Sequence, residues 1–439
     1  MSEAEPEARD PASEQTAAGL STTHGIATSL SFNPAERERL RSLASRVAEL
    51  AARPIEKKKA ALWTAHNDLQ SGEPLIFCDP ENGWNEIIPG SALSCRDPLA
   101  RVWEMHLLKE IFWGLEMLDD RVIEPVFDVP YNYVDTGWGL HEKRIGGGHG
   151  GSYTWEPQLK DYDRDFPLLS YPKILVDHAM TGRVLSLAQD LFSGILEVRL
   201  RGIWWWTLGM TWDYVTLRGL ENFMLDMYDH PEWVHRTMQF MSQGLIRKLD
   251  FLEAEGLLAL NTGGSYVGSG GFGWSSQLPA QGFQAGRTRL KDMWGFAESQ
   301  ETIGVSAGMF EEFIFPYQLP LLERFGLNCY GCCEPMDPRW QVVRRIPRLR
   351  RVSVSPWADR DRMAEALGQD YILSLKPSPA PLALSAMDEA EVRSSLREDL
   401  GKVKDCVVEI IMKDNHTLGG NPGNATNWCR IAREEIGRL

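Results

Sequence analysis

Leu327-Asn328-Cys329-Tyr330-Gly331-Cys332-Cys333-Glu334-Pro335 begins as a strand and ends in thiols, a carboxylate and a proline. A strand of a parallel α/β protein delivers chemistry in this way at its C-terminal end. Three of the seven cysteines fall within these few positions. Thiols crowded beside a carboxylate are the donors a soft or borderline metal takes. Neighbouring residues of a regular strand face opposite ways, so Cys332 and Cys333 can share one ligand only if the strand has ended before them. Pro335 favours irregular backbone there.

Outward from this stretch the same pattern recurs. Segments 198–207, 257–260, 327–332, 352–354, 371–375 and 407–412 read as strands. Helical patterns separate them: the longest is 231–255, opened by Pro231, and another follows Ser306, a good N-cap. The alternation predicts an α/β fold, a (β/α)8 TIM barrel with an N-terminal helical and loop extension. Nearly every predicted strand ends in polar or reactive residues: Asn261 and Thr262, Cys332 to Glu334, Ser355 to Trp357, Lys376 to Ser378, and Asp414 to His416. In such a barrel those ends converge on one face.

Three regions are expected: a disordered tail over 1–30, an extension over 31–180 that contributes to the barrel and pocket wall, and the barrel proper over 181–439. Within the extension, Leu40, Leu43, Val47 and Leu50 mark a surface helix closed by Pro54, and a second helix is predicted over 99–118. The stretch from about 120 to 175, rich in Tyr, Gly, Asp and Pro with the glycine run 146–151 at its centre, predicts long loops that form a lid or pocket wall.

With 439 residues, 43% hydrophobic and 24% charged, the chain can bury a large core without disulfides. A formal charge of -15 and a pI near 5.2 repel nucleic acid and anionic membrane, which leaves a small molecule or a protein as partner. Cys78, Cys95, Cys406 and Cys429 are scattered, so a reducing, cytoplasmic setting is expected. The most apolar window, 195–212, is interrupted by Glu197, Arg199 and Arg201, which argues against a membrane span.

Bland readings stand beside the sharp ones. Clustered cysteines also serve as small buried hydrophobes, and His416 as a satisfied core histidine. Most of the 16 tryptophans are core, although Trp204 and Trp206 would face the same way on a strand and could bind an aromatic or a methylated cation. The basic run Arg344, Arg345, Arg348, Arg350 and Arg351 reads as a solvated helix end and loop. Gly268 to Gly273 fits a dinucleotide pattern, but no helix follows it, so it reads as a pocket loop.

The chain resembles the uroporphyrinogen decarboxylase superfamily, which also holds zinc-dependent methyltransferases that work with corrinoid proteins. The resemblance is carried by Leu217-Arg218-Gly219-Leu220-Glu221 through Asp226, Pro231-Glu232 and His235. It continues in Val305-Ser306 with Met309 to Tyr317, the strand to Cys332, Asn415-His416-Thr417-Leu418, and a short helix with Arg430 and Glu434-Glu435. It implies a (β/α)8 barrel. The true decarboxylases carry an N-terminal arginine-rich segment that has no equivalent in 50–150, so the methyltransferase branch is the closer match. That branch binds zinc through a His-x-Cys pair and a later cysteine. Here the pair is Tyr330-Gly331-Cys332, and the later position falls near Lys376-Pro377-Ser378, where no thiol stands.

The resemblance thus implies a methyltransferase that moves a methyl group between a small methylated substrate and a corrinoid (methylcobalamin) on a separate protein. Zinc is expected on Cys332, Cys333 and Glu298, with Cys329 or Glu334 as replacements. His416 and Lys376 are expected to orient or neutralise the substrate, and Trp206, Trp204, Asn261, Tyr330 and Glu334 to bind it. Asp414 to Gly419 matches a corrinoid-domain pattern, but only 20 residues follow, so the corrinoid is expected on a partner protein. The alternatives are a metal-independent decarboxylase or lyase and a non-catalytic small-ligand-binding barrel.

Overall fold

The computed structural model describes residues 30–70, 72–141, 143–146, 153–202 and 207–438. The predicted tail, the centre of the glycine run, Trp204 and Trp206 lie outside the described residues.

The strands are β1 (Leu75–Cys78), β2 (Val126–Pro130), β3 (Tyr133–Asp135), β4 (Lys143–Gly146), β5 (Tyr153–Glu156), β6 (Ile174–Val176), β7 (Glu197–Arg201), β8 (Trp294–Ala297), β9 (Leu327–Tyr330), β10 (Leu349–Val354), β11 (Ile372–Leu375) and β12 (Val407–Met412). Six form one parallel sheet in the order β1-β12-β11-β10-β9-β8, and β2 pairs with β7 in a separate parallel ladder. In β1, β8, β9, β11 and β12 every residue is buried, as parallel strands covered by crossover helices must be. The fold is therefore α/β with a central parallel sheet. Its first strand comes from within the N-terminal extension.

The predicted barrel is not closed by backbone ladders among the described residues, and side chains explain why. Segment 257–260, read from sequence as a strand, forms no ladder. Instead the Asn261 amide accepts from Trp294 N at 2.9 Å and donates to Trp294 O at 3.0 Å, taking the places a strand would use on the free edge of β8. On the free edge of β1, the Asp120 carboxylate accepts from Ile76 N at 2.7 Å and the Asp119 carboxylate from Cys78 N at 3.2 Å.

Helices follow their sequence signals. Asn33 caps Pro34–Ala51 through a reciprocal bond with Glu36, and Ser306 accepts from Met309 N at the start of Ala307–Phe313. The long helix runs Pro231–Ala254 and the expected 99–118 helix runs Pro98–Leu115. Pro54 opens a second helix, Pro54–Asn67, rather than merely closing the first, because proline at N1 gives up no needed N–H. No helix among the described residues is long and apolar enough to cross a membrane.

Within β9 the side chains alternate. Leu327 and Cys329 join an inner apolar cluster with Val267, Trp294 and Phe296. Asn328 and Tyr330 turn to the helix layer, where Tyr330 donates to Gln318 at 2.7 Å and Asn328 to Leu322 O at 3.0 Å. A bulge between Leu349 and Arg351 in β10 sets Arg351 opposite Cys329 and turns it inward. Arg351 is 2% exposed, which overturns the reading of the whole basic run as solvated. Its guanidinium pairs with Glu409 at 2.9 Å and Asn67 at 2.7 Å. His66 Nε2 lies 3.3 Å from the other Glu409 oxygen. Burial raises the Glu409 pKa, but Arg351 and His66 outweigh it and bring the carboxyl down to about 2.

Candidate active site

The site gathers at the C-terminal ends of β1, β9 and β12 and on the loop through 262–273. Strand β9 stops at Tyr330, where Gly331 turns with φ +90° and donates to Ala297 O at 3.0 Å. Only glycine takes this turn without strain. It breaks the alternation, so Cys332 continues the inner cluster that Cys329 began. Glu334 pins the turn: it is fully buried, with one oxygen accepting from Cys332 N at 2.9 Å and the other from Ser299 N at 2.8 Å. Ser353 donates to Cys332 O at 2.8 Å.

The Gly-rich loop turns back on itself through the Tyr266–Phe272 bridge and carries Ser269 down to the cysteine. Gly270 lies so close to β12 that an added Cβ would stand 2.4 Å from Ile411 Cγ2. No helix follows, in keeping with a pocket loop and not a dinucleotide fold.

Two donors meet Cys332 Sγ, Ser269 Oγ at 3.2 Å and Lys413 Nζ at 3.4 Å, and Cys333 Sγ lies 3.7 Å away in a contact where either sulfur can donate. Cys333 also donates to Asp414 Oδ2 at 3.5 Å. The hydrogen bond from Cys333 is the foremost influence on Cys332; Lys413 and Ser269 add to it, burial opposes, and the thiol is brought down to about 7. Cys333 is pushed up by donating to that sulfur, and by burial. Lys413 is held well above the usual lysine range: burial works against its charge, but Tyr266, Cys332 and Asp414 overcome it.

Carboxyl groups complete the cluster. Glu81 has φ +48° and Asp414 φ +63°, two non-glycine residues in the left-handed region at the ends of neighbouring strands. Strained backbone of this kind concentrates at functional sites. Burial first, and the Asp79 charge next, push Glu81 up to about 8. Asp79 is itself raised, again by burial. The Tyr266 hydroxyl is buried with no hydrogen-bond partner among the described residues, and its surroundings are Lys413, Asp79, Glu81 and Cys332.

The residues proposed from sequence fall into three groups. Cys332 and Cys333 are at the centre, brought together because the strand has ended. Lys376 is just beneath, its Nζ 2.5 Å from Ser374 Oγ, and burial foremost lowers it to about 8. Glu298 and Glu334 are in the wall. Glu298 is fully buried, accepts from Gln300 N at 2.8 Å through one oxygen, and is raised well above the usual range by burial and by Glu301 and Glu334. Its second oxygen has no hydrogen-bond partner among the described residues.

Tyr330, Asn261 and His416 are not gathered. Tyr330 faces the helices and Asn261 is spent on β8. His416 is exposed, and its hydrogen bonds run through its backbone, to Asp414 O and from Asn82 Nδ2. Lys413, Ser269, Glu81, Asp79 and Tyr266 were missed. Lys413 directly follows a strand read correctly from sequence, so its position was the available signal.

Cys332, Cys333 and Glu298 do not fit a zinc ligand set as they stand. Among the described residues no three His, Cys, Asp or Glu side chains are arranged to hold a metal ion. Lys413 supplies the positive charge beside Cys332, and the Glu298 carboxyl favours its neutral form.

Fold and site together define an α/β protein with a central parallel sheet and a cysteine pair beside a lysine at its strand ends. No protein-family model matches the chain, and no curated protein matches its sequence. Among solved structures it is similar to a methyltransferase from Methanosarcina mazei, at 10% identity over 85% of this chain and 97% of that one, with a TM-score of 0.48. A likeness at that score carries no argument about chemistry.

Proposed function

We propose that this protein is a methyltransferase in which the Cys332 thiolate accepts the methyl group of a small methylated compound. The observation that carries the reading is the shell on Cys332 Sγ, with Lys413 and Ser269 donating to it and Cys333 Sγ beside it. A thiolate is the nucleophilic form of cysteine, and this shell keeps a substantial thiolate fraction near neutral pH. The sulfur attacks the methyl carbon; an S–C bond forms as the bond from carbon to its heteroatom breaks, and the electron pair leaves with the heteroatom. Glu81, held near 8, is protonated at neutral pH and supplies the proton that the leaving group takes. The motif resemblance adds a corrinoid on a separate protein as the other methyl carrier.

Free methylcobalamin tests Cys332 as the methyl acceptor: the thiolate attacks the methyl carbon, the Co–C bond breaks and its electron pair leaves with cobalt as cob(I)alamin. Reduced protein is expected to consume the methyl–cobalt absorbance and to gain one methyl group on the peptide holding Cys332, with neither change in Cys332→Ser. Unmodified Cys332 overturns the reading. A second reading, a metal-independent decarboxylase or lyase, draws on Glu81, held near 8, as the donor to a carbanion, with the raised Glu298 carboxyl beside the centre; it predicts that Cys332→Ser stays active.

A further inference from the structure

We infer that Cys332 and Cys333 form a vicinal dithiol that a hydroperoxide closes into a disulfide, a modification site that switches the centre off. Three observations converge. The two sulfurs are 3.7 Å apart because the strand has ended before them, a separation that small side-chain rotations can close. Cys333 is only half-buried and Cys332 is 3% exposed, so the resolving sulfur is the more open of the two. Lys413 and Ser269 donate to Cys332 Sγ, whereas Cys333 Sγ donates to Asp414, so the attacking sulfur and the resolving sulfur are distinguished.

The other cysteines are placed differently. Cys329 is turned to Arg351, at 3.6 Å from its guanidinium. Cys78 and Cys429 are fully buried beside each other, and burial foremost raises both thiols.

The chemistry balances. The Cys332 thiolate attacks one peroxide oxygen, the O–O bond breaks, hydroxide departs and a sulfenic acid is left. Cys333 then attacks that sulfur, the S–S bond forms, the S–O bond breaks, and the second hydroxide takes up the Cys333 proton as water. Two sulfurs lose two electrons between them and the peroxide gains two. Neighbouring Cα atoms are about 3.8 Å apart, below the usual span of roughly 4.4–6.8 Å for a disulfide, so the bond is strained and readily reduced by added thiol. Its effect as a switch rests on the nucleophilic role proposed for Cys332, but its formation does not.

The test treats fully reduced whole protein with one equivalent of hydrogen peroxide. Expected are a mass loss of two hydrogens, a fall of two in the titratable thiols from the seven present, mapping of the bond to Cys332–Cys333, and full reversal by dithiothreitol. Cys333→Ser should instead leave a sulfenic acid on Cys332 that dimedone captures, and Cys329→Ser should still form the bond. A Cys329–Cys332 bond, a glutathione adduct as the main product with oxidised glutathione present, or thiols that stay reduced would each overturn the inference. Because thiols and mass are read directly, failure of the disulfide is separable from failure of methyl transfer, which is scored on reduced protein.

Discussion

The Lys413 ammonium lies 3.4 Å from the Cys332 sulfur, and the two residues lie just past strands β12 and β9, which are not neighbours in the sheet. An opposite charge at that distance lowers a thiol pKa by roughly 1–3 units. Iodoacetamide labelling of Cys332 is therefore expected to rise with pH through a midpoint near 7. In Lys413→Met the midpoint should move up by at least about one unit. An unchanged midpoint in that variant would remove Lys413 from the site.

Glu334 holds two buried N–H groups, those of Cys332 and Ser299. Glu334→Ala leaves both without acceptors, at about 1–3 kcal/mol each. Urea unfolding should show a loss in that range or above, and Cys332 labelling should lose its sharp pH midpoint as the turn loosens. Full stability in the variant would contradict the pinning role.

The Arg351–Glu409 pair sits inside the sheet with both side chains almost wholly buried. Arg351→Met strands the carboxylate and should cost roughly 3–5 kcal/mol, while Arg351→Met with Glu409→Leu should recover most of it. Glu409 has a folded-state pKa of about 2 against 4.5 for the free side chain. A depressed carboxyl stabilises the fold above its unfolded pKa, and that contribution disappears as pH falls from about 4.5 towards 2. Acid titration of wild type should show this decline, and Glu409→Gln should flatten it.

Asn261→Ala removes both bonds to the Trp294 backbone. Amide exchange at Trp294 should speed up by an order of magnitude or more, with a stability loss of about 1–3 kcal/mol. Asn261→Asp keeps the acceptor and should protect the Trp294 amide in part. Equal protection in Asn261→Ala would mean that another group closes this edge.

Much of the fold was legible in the chain. The helices opened by Pro231 and Ser306 and the strands β9 to β12 follow from local period and capping, which depend on a few neighbouring residues. The edges were not. Segment 257–260 has the composition of a strand, yet whether a strand forms depends on what already occupies the edge of β8, and there a side-chain amide does. Arg351 looked solvated among other arginines because a one-residue bulge, invisible in composition, reverses which way it points.

The sequence alone determined that thiols and a carboxylate stand at the end of a strand, with Pro335 favouring irregular backbone there; it carried that strand through 332, and only the structure ends it at Tyr330 through the Gly331 turn. Only the tertiary structure decided what those thiols meet. The ammonium on Cys332 lies 81 positions away in the chain and the serine 63 positions away, brought in by sheet order and by a loop that descends onto β12. Local sequence carries the period of a strand; it does not carry which strand ends will be neighbours, and the charge state of Cys332 depends on that.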